Sequence, residues 1–352
     1  MGVDWTEVES PALFVDLAVA QENIAAMAGW ASEVGVEIRP HFKAHKCVEL
    51  ARLQVEAGAV GLTVATLEEA LALLDAGLDD ILIANQVVLP AQVERLAVAA
   101  RRGRIAVLVD DPANLEGIAA AARRAGSEVR VLIEVDTGMG RCGMRQPKQT
   151  ARLAELAVEA QGVHFAGVSG YEGHVSPIED QDERAARARE AIAVLGDHAE
   201  AIRAEGIEVE IVSAGGTSTF RTTGADPRVT ELQPGAYVLM DVARRRLVSE
   251  FQIALWIGTT VISRQGSHGV LDCGHKGVSS LGGPPDLTGG WGEIASIHEE
   301  HLCFLASGPE PALGEMVRID PGFGPMTINL YDRLHVLSGG AVIEEWPVAA
   351  RR

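Results

Sequence analysis

The stretch Arg39-Pro40-His41-Phe42-Lys43-Ala44-His45-Lys46 decides the fold. It follows the short apolar segment Val36-Glu37-Ile38 and precedes a run of helical character that begins at Cys47. A lysine between a strand and a helix lies at the carboxyl end of a β/α unit, where β/α barrels place their chemistry. An amine held there can attack a carbonyl group and form a Schiff base. A solvated surface lysine is the alternative, but two neighbouring histidines and an arginine favour an anion-binding site.

Short apolar runs alternate with longer helical runs from about residue 13 to 240. Near-continuous apolar runs are typical of parallel strands that are buried on both faces. Alanine-rich amphipathic segments, such as residues 67–74 and 183–202, separate them. The predicted strands cover residues 36–39, 61–64, 80–83, 105–109, 129–134, 165–168, 209–212 and 230–232. Eight such units predict an α/β fold with a (β/α)8 barrel of the TIM type.

The pattern changes after about residue 245. Short β runs follow at residues 253–257, 269–272, 316–319 and 334–337, and glycine and proline turns separate them. We therefore predict a barrel at residues 13–243 and a C-terminal β domain at residues 244–352, which residues 1–12 join. The glycine- and proline-rich residues 279–290 indicate a loop near the site or at an interface.

Composition excludes several classes of protein. The 352 residues suit a barrel of about 250 residues with an added domain. The net charge of −19 makes nucleic acid and anionic membranes poor partners. The absence of a leader and of an apolar run of about 18 residues predicts a cytoplasmic protein without a membrane segment. Reduced thiols are expected because the cysteines show no CxxC pairing. They are Cys47, Cys142, Cys273 and Cys303.

Two loops that follow predicted strands carry candidate site residues. The loop Asp136-Thr137-Gly138-Met139-Gly140-Arg141-Cys142-Gly143 has three glycines, which let backbone approach a ligand. Arg141 can hold a phenolate or carboxylate there, unless the loop is a simple turn with a solvated arginine. In Gly170-Tyr171-Glu172-Gly173-His174, Tyr171 can stack on a planar ring and His174 can act as acid or base. A structural tyrosine and a surface histidine are the alternatives.

A phosphate-binding site is predicted after the last two strands. Ser213-Ala214-Gly215-Gly216-Thr217-Ser218-Thr219 offers backbone N–H groups and hydroxyls, and barrels often bind phosphate at this place. Gln233-Pro234-Gly235-Ala236-Tyr237 follows the eighth strand and is positioned to complete the cradle. His298-Glu299-Glu300-His301 has residue types that bind metals, but its spacing is not HExxH and its region reads as strand or loop. We expect no metal site there.

Together these residues resemble the fold-type III pyridoxal-phosphate (PLP) enzymes, and in particular the D-threonine aldolase and D-serine dehydratase branch. The likeness runs from Ser10 to Trp346. Its most specific marks are residues 39–46, Gly215-Gly216-Thr217, residues 233–237 with Met240-Asp241, and Asn329-Leu330-Tyr331-Asp332. The resemblance implies an alanine-racemase-like barrel that carries PLP, a C-terminal β domain that closes the site, and a homodimer.

The resemblance also implies roles for single residues. Lys43 would carry PLP, Arg141 would lie near the ring oxygen of the cofactor, and Tyr171 would contact the ring. Gln233 falls where related enzymes place the residue that faces the pyridine nitrogen. A neutral glutamine holds that nitrogen less firmly protonated than a carboxylate does. The remaining predicted cofactor-binding residues are His41, Ser213, Gly215, Gly216, Thr217, Gly235, Ala236 and Tyr237. The candidates for a second acid or base are His174, His301, His275 and His298.

One departure from the branch concerns a metal. Its members bind a divalent metal through a His-x-Cys or His-x-Asp pair shortly before the Asn-Leu-x-Asp string. Here Phe323 and Pro325 take those positions, and neither can ligate a metal. The resemblance thus implies a PLP-dependent lyase for a D-configured β-hydroxy amino acid, of aldolase or dehydratase type, without that metal. The alternatives are an amino-acid racemase or epimerase, a non-catalytic PLP-binding protein and, outside the family, a sugar-phosphate barrel enzyme.

Overall fold

The computed structural model describes residues 2–308 and 311–351. The chain forms two compact units. The strand-rich unit comprises Met1–Met27, Ala44–Leu50 and Ala236–Arg352, and the barrel unit comprises Ala28–Lys43 and Ala51–Gly235. These units are defined by compactness, and the limits of 13–243 and 244–352 stay a prediction.

Eight parallel strands build the barrel unit. Numbered along the chain after β1 (Val3–Asp4) and β2 (Ala12–Asp16) of the strand-rich unit, they are β3 (Glu37–Ile38), β4 (Leu62–Val64), β5 (Asp80–Gln86), β6 (Arg104–Val109), β7 (Val129–Val135), β8 (Val163–Gly170), β9 (Ile211–Ala214) and β10 (Glu231–Leu232). Their order in the sheet is β3-β10-β9-β8-β7-β6-β5-β4. A bridge between His41 and Thr63, with Thr63 N donating to Pro40 O at 2.8 Å, joins the two ends of the sheet.

The predicted barrel is confirmed, with each of the eight predicted strands within a few residues of its expected limits. All seven residues of β7 are buried, including Arg130 and Glu134, as expected for a strand covered on both faces. A core cluster joins four neighbouring strands. It consists of Leu82, Ala106, Leu108, Leu132 and Ala166.

Helix starts follow local sequence signals. The Thr66 side chain accepts the N–H of Glu69, and Asp111 caps the next-but-one helix in the same way. Several helices begin with proline, whose missing N–H costs nothing in the first turn. The α-helices are α1 (Leu17–Val34), α2 (Val48–Glu56), α3 (Leu67–Asp75), α4 (Pro90–Ala99), α5 (Pro112–Ala125), α6 (Pro147–Glu159), α7 (Gln181–Ala204), α8 (Phe220–Gly224), α9 (Val242–Arg245) and α10 (Gly324–Ile328). None in the described ranges is long and apolar enough for a bilayer span.

The strand-rich unit is mostly antiparallel. Its further strands are β11 (Leu255–Gln265), β12 (His268–Leu271), β13 (Asp286–Leu287), β14 (Gly292–Ile297), β15 (Leu302–Ala306), β16 (Met316–Asp320), β17 (Arg333–Ser338) and β18 (Ala341–Pro347). The N-terminal β2 pairs with β11 and β17, while β1 pairs with β18. Stacked rings of Phe14 and Trp256, 4.4 Å apart, fix this junction, with Trp5 edge-on to Trp256 at 5.0 Å. The predicted loop at 279–290 contains β13.

Candidate active site

Lys43 lies just beyond the carboxyl end of β3, in a 3-10 helix at Phe42–Ala44. Arg39, just after the strand, forms a buried ion pair with Glu231 at 2.7 Å and a partly exposed one with Asp80 at 2.5 Å. His41 and Phe42 are buried, whereas the Lys43 side chain is exposed. The backbone is therefore fixed by its neighbours while the amine points out at the strand ends, which we call the barrel mouth.

Several of the predicted residues lie around Tyr171, which directly follows β8. Its ring centroid lies 5.9 Å from Lys43 Nζ and 5.9 Å from Arg141 Cζ. A Cβ atom at Gly173 would come within 2.4 Å of the ring, and one at Gly216 within 3.1 Å. The two glycines thus make room for the ring. The structure brings together Lys43, Arg141, Tyr171 and the Gly216 loop, as the sequence predicted.

Acidic side chains that the sequence did not single out lie beside Arg141. Its guanidinium lies 3.7 Å from the buried Glu134 carboxylate. Glu134, Asp110 and Cys142 have ligand-type atoms within 4.8 Å of one another. Burial raises the pKa of Glu134. Burial and the two carboxylates also raise the pKa of the Cys142 thiol, which is therefore a poor nucleophile. Glu134 and Cys142 belong to β7 and the loop after it, whereas Asp110 follows β6, so the sequence alone does not show that they meet.

The predicted phosphate loop is anchored by Glu172, a second residue that the sequence did not reveal. Its carboxylate, 1% exposed, accepts hydrogen bonds from the Thr219 and Thr223 hydroxyls, both at 2.6 Å. Gly215 N also donates to it at 3.2 Å, and Gly216 N donates to Thr219 Oγ1 at 3.2 Å. Gly215 has a φ of +79°, which glycine adopts without strain. The two glycine N–H groups assigned to phosphate therefore hold the loop itself, while Thr217 lies buried beside them.

Gln233 also belongs to a buried network. Its amide nitrogen donates to Ser169 Oγ at 3.1 Å and to Ser213 Oγ at 2.9 Å. Ser213 is fully buried and its hydroxyl donates to Glu231 at 2.7 Å. The hydroxyl hydrogen of Ser213 is donated to Glu231, and its oxygen accepts from Gln233. The predicted contact of Ser213 with the cofactor stays a prediction.

The other predicted residues belong to one or the other of the two units. His174 is exposed in the barrel unit, with Nε2 3.1 Å from where a Cβ of Gly138 would lie. Ala236, Tyr237 and His301 belong to the strand-rich unit. There Tyr237 is buried with its ring 5.6 Å from that of Phe251, and His301 is exposed. The predicted roles of all these residues, and of His41 and Gly235, stay predictions.

The segment with the expected metal-ligand positions has no ligand atoms at those places. Phe323 precedes α10, and the guanidinium of Arg244 lies 4.5 Å from its ring centroid. The carboxylate of Asp241 pairs with Arg244 and accepts Gly324 N at 3.0 Å. A cation–π contact and a helix start thus occupy this segment. These residues do not fit the divalent metal of the branch.

The residues around Tyr171 do fit PLP. The Lys43 amine suits the aldehyde of PLP, and the Arg141 guanidinium suits its ring oxygen. The half-buried Gln233 amide suits the ring nitrogen, and the buried Thr217 hydroxyl suits the phosphate. The glycines at 173 and 216 let the backbone lie against the Tyr171 ring and so fix its position beside these groups. Lys46 is a poorer candidate for the aldehyde because its amine donates to Ala350 O at 2.9 Å.

Family models match both parts of the chain. The alanine racemase N-terminal domain matches residues 15–242, and a putative serine dehydratase domain matches residues 254–337. These matches define an alanine-racemase-like protein with a dehydratase-type C-terminal domain. A solved alanine racemase from Bacillus anthracis, 16% identical with a TM-score of 0.74, shares the fold alone.

Individual relatives show to which branch of the family the chain is similar. D-threonine aldolase of Arthrobacter sp is 36% identical over 98% of this chain and 93% of the relative. 3-Hydroxy-D-aspartate aldolase of Paracoccus denitrificans is 32% identical over 99% of this chain and 94% of that protein. The crystal structure of D-threonine aldolase from Filomicrobium marinum has a TM-score of 0.96 and 35% identity, covering 100% and 97%. The chain belongs to this D-threonine aldolase and D-serine dehydratase-like family, as the resemblance predicted.

Proposed function

We propose that this protein is a PLP-dependent lyase that cleaves a D-configured β-hydroxy amino acid. One observation carries the proposal: in a chain 36% identical to a D-threonine aldolase, the Lys43 amine lies 5.9 Å from the Tyr171 ring centroid, with Arg141 on the same ring. The names of the most similar relatives support a lyase over the racemase alternative. Aldolases among them favour cleavage of the Cα–Cβ bond.

Each residue at the barrel mouth has a separate role in the proposed reaction. When bound, PLP supplies an electron sink for negative charge at Cα of the amino acid. Lys43 would hold the aldehyde group of PLP, and its amine is the group that would give or take a proton at Cα of the amino acid. Arg141, whose guanidinium lies 3.7 Å from the Glu134 carboxylate, would hold the anionic ring oxygen. His174, beside the Gly138 loop, is the barrel-unit candidate for taking the β-hydroxyl proton.

The reaction is tested with the purified PLP-loaded protein and a panel of D- and L-β-hydroxy amino acids. We expect an aldehyde and glycine from a D-isomer only. A keto acid with ammonia would indicate a dehydratase, and exchange of the Cα proton without either product would indicate a racemase. Lys43→Ala should abolish turnover, whereas Lys148→Ala, which changes an exposed lysine of α6, should not. Retained turnover in Lys43→Ala contradicts the proposal.

We further propose that turnover does not need the divalent metal. Phe323 and Pro325 offer no ligand atom, and Arg244 places a guanidinium on Phe323. A chelator should therefore leave activity unchanged, and the purified protein should contain less than stoichiometric divalent metal by elemental analysis. Loss of activity with a chelator and its return with a divalent ion would contradict this.

A homodimer and a cytoplasmic location remain part of the proposal. The homodimer rests on the resemblance to the fold-type III PLP enzymes. Sedimentation should give twice the mass of the chain, and a monomer would exclude the dimer. Fractionation of cells that express the protein tests the location.

A further inference from the structure

Five polar residues form a continuous chain of hydrogen bonds inside the barrel unit. Arg39 Nε donates to Glu231 Oε2 at 2.7 Å, and Ser213 Oγ donates to Glu231 Oε1 at 2.7 Å. The Gln233 amide nitrogen contacts Ser213 Oγ at 2.9 Å and Ser169 Oγ at 3.1 Å. Four of the five residues are buried, and Gln233 is half-buried at the open end of the chain.

The direction of each bond is fixed by the charged end. A guanidinium can only donate, so the Glu231 carboxylate that pairs with Arg39 accepts. A carboxylate has no hydrogen to give, so the Ser213 hydroxyl must donate its one hydrogen to Glu231. Ser213 can therefore only accept from Gln233. A glutamine amide turned by 180° would place its oxygen against the lone pairs of Ser213, which is unfavourable.

The amide of Gln233 thus has a defined orientation. Both of its N–H groups donate into the barrel, one to Ser213 and one to Ser169. The polar atom left for a ligand is the carbonyl oxygen, which accepts hydrogen bonds and cannot donate them. Since the network ends in a buried ion pair, each of its bonds is polarised in the same direction.

We infer that Glu231 and Ser213 are positioning residues that present the Gln233 oxygen to the cofactor, so that the site binds the pyridine ring in its N–H form. The inference rests on the proposed function and on the expectation that Gln233 faces the ring nitrogen. A protonated ring nitrogen is the stronger electron sink. The sequence alone indicated only a neutral side chain that holds the proton less firmly than a carboxylate; the network adds that this side chain accepts from it.

The test is ¹⁵N NMR of the protein loaded with PLP that is ¹⁵N-labelled in the ring. In the wild-type protein we expect the chemical shift of a pyridinium at neutral pH. In Glu231→Gln, the new amide should turn its oxygen to Arg39 and its nitrogen to Ser213. Ser213 would then donate to Gln233, whose N–H groups would face the ring nitrogen. The ratio of protonated to unprotonated ring should fall about tenfold or more, because Gln233 would then offer the ring nitrogen a donor in place of an acceptor.

Two further variants keep the result interpretable. Ser213→Ala leaves the ion pair between Arg39 and Glu231 intact and interrupts the chain, so we expect a smaller change in the same direction. This variant decides the question if Glu231→Gln fails to fold. Glu210→Gln is the matched control, since it breaks the pair with Arg130 elsewhere in the barrel unit and should leave the signal unchanged.

The outcomes separate the inference from the proposed function. An unprotonated ring in the wild-type protein, or an unchanged ratio in both Glu231→Gln and Ser213→Ala, would overturn the inference while PLP binding stands. A wild-type protein that binds no PLP would overturn the proposed function and this inference together. A purely structural role for Glu231 would lower the melting temperature without moving the ¹⁵N signal.

Discussion

Replacement of Glu172 by leucine should release the loop at residues 213–224 from the barrel. The carboxylate is 1% exposed and accepts three hydrogen bonds, from the hydroxyls of Thr219 and Thr223 and from Gly215 N. Leucine has a similar volume but offers no acceptor, so three buried donors lose their partner. At about 1.5 kcal/mol for each of the three bonds to a charged group, the lower end of the usual range, the loss is about 4.5 kcal/mol, or roughly 2,000-fold in local opening.

Hydrogen exchange followed by mass spectrometry measures this effect directly. In the protein without added cofactor, peptides covering residues 213–224 should exchange much faster in Glu172→Leu, while those of β7 should not change. The affinity for PLP should fall in parallel, since the cofactor must then order the loop. Glu179→Leu, the same substitution at an exposed position of the adjacent loop, should leave exchange unchanged. Equal exchange in Glu172→Leu and the wild type would refute the assignment of Glu172 as the anchor.

Three other properties follow from buried groups. Burial lowers the pKa of His198, so the unfolded chain takes up a proton below its ordinary value of 6.5 that the native barrel does not. Stability in urea should therefore fall as the pH drops from about 7 to about 5, and less so in His198→Gln. Burial raises the pKa of Cys273 to about 12, so iodoacetamide should label the half-buried Cys303 but not Cys273 in the native protein, as peptide masses will show. Arg39→Met leaves the Glu231 carboxylate buried without its guanidinium and should lower the free energy of unfolding by about 3–5 kcal/mol, measured by urea denaturation; an unchanged midpoint would contradict this.

The barrel could be predicted from the sequence because its strands are buried on both faces. The run at residues 105–109, for example, is apolar and buried throughout, and helices with proline or aspartate starts separate such strands. The strand-rich unit was less clear. Its β14 alternates half-buried and exposed residues next to glycine turns, and β13 has only two residues, so neither stood out from a loop.

The site could be predicted only in part, for a physical reason. Lys43, Arg141 and Tyr171 each follow a strand, and parallel strands bring their carboxyl ends together, so position alone predicted that they meet. Glu172 and Glu231 are different, because an acidic residue in isolation looks like a solvated one. Only the fold reveals that Glu172 receives two threonine hydroxyls and that Glu231 receives a guanidinium and a serine.

The covalent link between cofactor and chain is tested by borohydride reduction of the PLP-loaded protein, followed by peptide mass analysis. The chain has four lysines, at positions 43, 46, 148 and 276. We predict a phosphopyridoxyl group on Lys43 alone, because Lys46 is buried with its amine on Ala350 O and Lys276 pairs with Glu300. An adduct on another lysine, or none on a protein that still turns over a D-β-hydroxy amino acid, would contradict the assignment on which the proposed function rests.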